Sequence, residues 1–337
     1  MNQPVPRLLR AAAVLSASAA AIAACSAPPA PTPDAEASPN GTPSAPAAMS
    51  APAAGPPAGG SPAAAPDAAP SGRVPGSAPD GDGDVPVGVA VDPASISHVH
   101  AIAQGGPGGA VLLATHEGLA RIEDGRLIAW GPPIDLMGFA VAPDGSYLAS
   151  GHPGAGVDLP EPAGLIRSTD QGRTWTVASR GGESDFHALG AGAGTIAGFD
   201  GALRVSADGR SWDTVDIPSP PRSLAVAPEG GALLAATERG LQLSEDGGAT
   251  WDELAAPEDL VLADWADGRT IVGATAAGRL ATSRDAGASW SLHGEELGPV
   301  AALSAEVSAD GTVETVLVAG GGVVRITGAE GAVEPLL

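Results

Sequence analysis

The sequence predicts an all-β chain, a six-bladed β-propeller with seven blades as the alternative, standing behind an N-terminal signal and linker. Three observations carry that prediction. Tryptophans recur at one place in a repeat of about 40 residues, each repeat holds four short Val/Leu/Ala-rich runs, and Gly, Asp and Pro punctuate those runs. Short strands at even spacing, in units too small to bury an apolar face alone, are the pattern of propeller blades.

The repeat is clearest around four boxes: STDQGRTW (168–175), SADGRSW (206–212), SEDGGATW (244–251) and SRDAGASW (283–290). Their tryptophans, Trp175, Trp212, Trp251 and Trp290, are spaced by 37, 39 and 39 residues. A degenerate copy, IEDGRLIAW, puts Trp130 another 45 residues upstream in the same repeat position, and a decayed sixth unit ends in VVRITGAEGAVEPL. Each unit has one order: a GFAV-type strand (A), a YLASG-type strand (B), a GLIRS-type strand (C), the box as the C–D turn, and a WTVAS-type strand (D). Box residues suit a tight turn. The carboxylates of Asp170, Asp208, Asp246 and Asp285 accept backbone N–H groups as in an Asx-turn. The glycine tolerates positive φ. The tryptophan is a plate that buries about 150–250 Å² between neighbours. These roles are structural.

Residues 1–25 read as a processing signal. Arg7 and Arg10 precede a short apolar run of small residues ending at Cys25, too short for a membrane span. Ile22-Ala23-Ala24-Cys25 resembles the lipobox of bacterial lipoproteins, which implies that Cys25 is lipidated; an ordinary signal with a stray cysteine is the alternative. Cys25 is the sole cysteine, which excludes an internal disulfide and a thiolate cluster. A diacylated residue would tether the chain to a membrane without spanning it, placing it outside the cell in the envelope. Residues 26–85 are almost wholly Ala, Pro, Ser, Gly and Asp, so they predict a disordered spacer. Their Asp80-Gly-Asp82-Gly-Asp84 run resembles the start of a calcium loop but lacks its downstream Glu, so a solvated acidic linker is the preferred reading. The propeller is expected over 86–337. Beyond the signal, 14 arginines and no lysine stand against 39 acids. That excess repels nucleic acid and anionic surfaces.

Residues 88 to 334, through their recurring boxes, resemble the Asp-box (bacterial neuraminidase) repeat family of β-propellers. DLMGFAV, ASGHPG and DFHAL resemble a group of bacterial lipoproteins named glycosyl hydrolases or exo-alpha-sialidase-like proteins for the repeat. The family is functionally mixed, spanning sialidases, sortilin-like receptors and photosystem assembly factors. The sialidase resemblance would imply three arginines gripping a carboxylate, a Tyr nucleophile paired with Glu, and an Asp acid/base. Here the single tyrosine, Tyr147, falls in the middle of strand B, the Arg-Ile-Pro motif is missing, and only Arg222 and Arg239 could reach a pocket.

Five of the six histidines lie between residues 98 and 187. His98, His100 and His187 stand at the start of a strand A; His116 and His152 stand at the end of a strand B. In an antiparallel meander these ends share one edge, opposite the C–D boxes. Asp135, Met137, Asp185 and Asp200 occupy equivalent slots, and His98 and His100 at i, i+2 share one side of a strand. Imidazoles with carboxylates and a thioether are ligands for a transition metal, copper or zinc, or a grip or acid–base pair for a ligand. Alternatively, each histidine satisfies loop backbone groups at a strand end. His293 breaks the pattern and is expected at the surface. The leading functional expectation is a membrane-anchored binding or assembly module. Its partners would be a small ligand, a metal or an envelope protein, with no nucleic acid; the alternative is a glycoside hydrolase using carboxylates on the histidine face.

Overall fold

A computed structural model describes residues 87–328 and 331–337; Cys25, the signal, the linker and its Asp80–Asp84 run lie outside the described residues. Six antiparallel sheets follow one another along the chain, five with four strands and the first with five. This is a six-bladed β-propeller. The innermost strands, A of blades 1 to 6, are Val99–Ala103, Ile134–Val141, Ala188–Gly192, Pro221–Val226, Leu260–Trp265 and Val300–Val307. The B strands Val111–Thr115, Leu233–Thr237 and Ile271–Thr275 are buried along their whole length. Neighbouring blades cover both of their faces, which is why these runs read as continuously apolar rather than alternating.

Among the described residues no blade draws strands from both ends of the chain. Val87–Val91 adds a fifth strand to the outer edge of blade 1, against Arg126–Trp130. Blades 1 and 6 therefore meet through side chains. Gln104 donates through Nε2 to the carbonyls of Ser304 and Glu314, at 3.2 and 3.3 Å. Ile102, Val111 and Leu113 share one apolar cluster with Ala302, Val316 and Val323. Other seams use similar links: Ser150 Oγ accepts from the Phe186 N–H, Ser223 Oγ from Ala263 and Asp264 Oδ2 from Ala305.

All four boxes form the C–D turns of blades 2 to 5. In blade 2, Ser168 Oγ accepts the Gly172 N–H at 2.7 Å and donates to Asp170 Oδ1 at 2.8 Å. Asp170 then takes the Thr174 N–H and hydroxyl, at 2.9 and 2.7 Å. The same set recurs through Asp246 with Thr250 and Asp285 with Ser289. The box of blade 3 is one residue shorter, and Asp208 accepts from the N–H groups of both Arg210 and Ser211. Those donors hold Asp208 near 2, and the Thr250 hydroxyl and N–H do the same for Asp246.

Each box docks onto the preceding blade. Trp212 donates to Ser179 Oγ of blade 2, and Trp251 to the Asp216 carbonyl of blade 3. Trp130 departs from the expected repeat position. Blade 1 joins strands C and D by a tight Asp124-Gly125 hairpin with both residues at positive φ, so Trp130 closes strand D instead of opening it. There it forms the surface that the next box grips, donating to the Gln171 carbonyl at 2.8 Å. Arg121 and Arg173 stack on its ring.

Gly172 lies at that junction with φ of +87°, and a Cβ there would meet Leu119 Cδ2 of blade 1 at 2.4 Å. Both the backbone conformation and the close approach demand glycine. Gly172→Ala should lower stability by about 1–3 kcal/mol, read as a reduced urea midpoint with unchanged slope. An unaltered midpoint would remove this glycine from the inter-blade contact.

Candidate functional site

Antiparallel pairing places the starts of the A strands and the ends of the B strands at one mouth of the central channel. One backbone feature shapes that mouth. Strand A of five blades contains a register shift, between Val99 and Ala101, Leu136 and Gly138, Pro221 and Ser223, Leu260 and Leu262, and Val300 and Ala302. The skipped residue in the first three is His100, Met137 or Arg222. A bulge bends a strand and re-aims its extra residue. All three line a channel of about 350 Å³, together with His187.

At the seam of blades 1 and 2, His100 Nε2 lies 3.4 Å from His116 Nδ1 and 3.7 Å from Asp135 Oδ1. His116 Nδ1 is 2.9 Å from Asp135 Oδ2. These donor atoms all lie within 4.8 Å of one another. The His98 ring stands 4.7 Å from that of His100 and 5.7 Å from that of His116. Burial, then the neighbouring His116 and His98, hold the His100 imidazole below its ordinary value, with Asp135 opposing them. Asp135 Oδ1 is buried with no hydrogen-bond donor. Glu117, next to His116, accepts both the Ser97 hydroxyl and the Ser97 N–H, tying the approach to His98 onto the end of strand B. Gly151, at φ of +148°, lets strand B pass the Asp135 carbonyl, which a Cβ would meet at 1.8 Å.

The seam of blades 2 and 3 gathers the other histidines. His152 Nε2 lies 3.2 Å from Asp185 Oδ2, His187 Nε2 lies 2.7 Å from the same oxygen, and His152 Nδ1 contacts Glu161. The Glu161 hydrogen bond raises the His152 imidazole above its ordinary value, with Asp185 adding to it and burial opposing. Phe186 anchors this strand start. Its ring is fully buried, 5.1 Å from Trp212, and its N–H bonds Ser150. Asp185 and His187 flank that anchor and share the outer side.

The expected residues thus form two groups: His98, His100, His116 and Asp135 at one seam, and His152, Asp185 and His187 at the next. Met137 lies on the channel wall. Asp200 is occupied elsewhere, accepting from Ser184 and Arg204 at 2.5 and 2.7 Å. Arg222 faces the channel and pairs loosely with Glu238 at 3.6 Å. Tyr147 opens strand B rather than sitting in its middle, and is buried edge-to-face against Phe139. A core tyrosine is not placed to attack a substrate. His293 is not a surface residue: it is half-buried between blades 5 and 6, with Nε2 2.7 Å from the Thr282 hydroxyl. Sequence reading missed Glu117, Glu161 and Asp264. Asp264 alone had a legible signal, an acid within the strand-A run LVLADW.

Fold and mouth together define the class as a six-bladed β-propeller. No protein-family model matches the sequence, and no curated protein sequence matches it. Solved structures do. A streptogramin B lyase aligns at 13% identity and a TM-score of 0.51 over 74% of this chain and 84% of that one. The extracellular domain of a proposed one component system from B. thetaiotaomicron aligns at 11% identity and 0.50, over 75% of this chain and 34% of that one. A chain of the nidogen/laminin complex aligns at 16% and 0.50, over 64% and 88%. At such identities the likeness is one of fold. Among the described residues no helix is long and apolar enough to cross a membrane.

On the channel wall, Asp264 accepts the Trp265 and Ala305 N–H groups, yet desolvation pushes its carboxyl up to about 6. Between about pH 4 and 6 the folded chain holds a proton there that the unfolded chain has released, so stability falls as pH rises through that window. Thermal melts at steps across it should show a steeper decline for the parent than for Asp264→Asn. Parallel profiles would refute the assignment.

Proposed function

We propose that this chain is an exported, lipid-anchored binding module of the Asp-box type that holds a divalent transition-metal ion between His100, His116 and Asp135. The observation that carries this reading is the convergence of two imidazole nitrogens and a carboxylate from two blades, with pairwise separations of 2.9 to 3.7 Å. The buried Asp135 Oδ1 without a donor adds weight, since a cation would satisfy it. Two histidines and a carboxylate suit zinc, and imidazole-rich sets also suit copper. His98 stands close enough to orient the set or complete it. An envelope protein as partner is in keeping with the nidogen/laminin likeness.

Metal analysis of the protein after loading with zinc chloride and dialysis tests the site. His100→Ala with His116→Ala should lose the ion bound at this seam while keeping the parent melting temperature of the metal-free form. Equal metal content in parent and double variant, or a metal-free parent, would overturn the reading. The anchor is tested separately. Cys25→Ala should abolish palmitate labelling in cells and release the protein into the medium; continued membrane retention would refute lipidation at Cys25.

A further inference from the structure

The two histidine seams repeat one plan. In blade 1 the residue that ends strand B is followed by His116, which meets Asp135 at the start of strand A in blade 2. One blade on, His152 near the end of strand B meets Asp185, just ahead of strand A in blade 3. Asp135 and Asp185 each stand two residues before a side chain on the channel mouth, Met137 and His187. The plan stops there. At the next seam Asp200 stands in the histidine's place at the end of strand B and is engaged by Ser184 and Arg204, and Pro220 holds the place of Asp135 and Asp185.

The contacts of the second seam converge on Asp185. Both nitrogens of His152 face carboxylates, Glu161 at Nδ1 and Asp185 at Nε2. Asp185 Oδ2 already receives His187, while Asp185 Oδ1 is buried with no donor. An imidazole held by a carboxylate through one nitrogen, with the other turned toward a carboxylate and a second imidazole, is the usual outer support of a metal ligand.

We infer that the seam of blades 2 and 3 is a second metal site, in which His152 Nε2, His187 Nε2 and Asp185 bind a divalent transition-metal ion and Glu161 orients His152. It offers the two-imidazole, one-carboxylate donor types of the first seam, although only the first seam already brings its three donor atoms within 4.8 Å of one another, and it rests on the reading of that seam as a metal site. His187 is 61% exposed, so its ring is free to turn from Asp185 onto an ion. The channel mouth would then hold two cations on adjacent seams.

Zinc chloride titrated into the metal-free full chain, with bound metal counted after dialysis, separates the two sites. The parent should bind two equivalents, His187→Ala one, His116→Ala one, and the double variant none. Because His187 is exposed, His187→Ala should keep the metal-free melting temperature, and Asp185→Asn should reproduce its stoichiometry. A parent with one equivalent that His187→Ala leaves in place would overturn the second site and leave the first intact. Two equivalents retained in His187→Ala and Asp185→Asn, or both lost in either, would also overturn it. A parent without zinc would overturn the first reading, and this one with it.

Discussion

Six innermost strands must share one axis, and everything at the channel follows from that crowding. Small side chains recur where the strands converge, among them Ala101, Gly138, Ala188, Ser223, Ala263 and Ala302. A regular strand would keep alternating its side chains and would send every second residue into a neighbouring blade. The register shift near the start of strand A relieves this. Beyond the small-residue zone it places one extra residue at the mouth, where the channel opens and larger side chains have room. His100, Met137 and Arg222 stand there for that reason. The chemistry of the mouth is thus a by-product of closing the ring.

The boxes do complementary work at the rim. Their side-chain bonds satisfy a turn that would otherwise leave several N–H groups unpaired, and Trp212 and Trp251 reach back to the blade before. Depressed carboxyls at Asp208 and Asp246 reflect this service to the backbone rather than a poised acid. Conversely, Asp264 is pushed up by desolvation in the channel wall. Carboxyls of the boxes and of the channel wall are thus perturbed in opposite directions for opposite reasons.

Much of this was legible in the sequence. Box spacing sets the blade period because each box fills the C–D turn of one blade. Strand order places His98, His100, His116, His152 and His187 at one edge, since antiparallel pairing fixes which strand ends are neighbours. Division into two seams was not legible. It depends on the angle between blades and on bulges that carry no sequence mark in a run of Ala, Val and Leu. Glu161 sits in the long B–C connection of blade 2, where no period constrains it, and only the fold brings it to His152. Trp130 was misplaced because a two-residue hairpin and an eight-residue box give a tryptophan at similar spacing from opposite ends of strand D. His293 follows the last box on a three-residue strand, and the neighbouring blade covers it.

The fifth strand of blade 1 separates two mechanical duties. Val87–Val91 holds the start of the described chain to the outer rim by four register pairs with Leu127–Trp130. The ring's closing seam, by contrast, consists of Gln104 and an apolar cluster, with no shared strand. Tension entering from the N-terminal side is therefore borne first by the rim strand. While its pairing holds, that strand keeps load off the channel; once it peels, the next paired strand in line is Val99–Ala103, and the pull arrives beside His98 and His100 at the mouth.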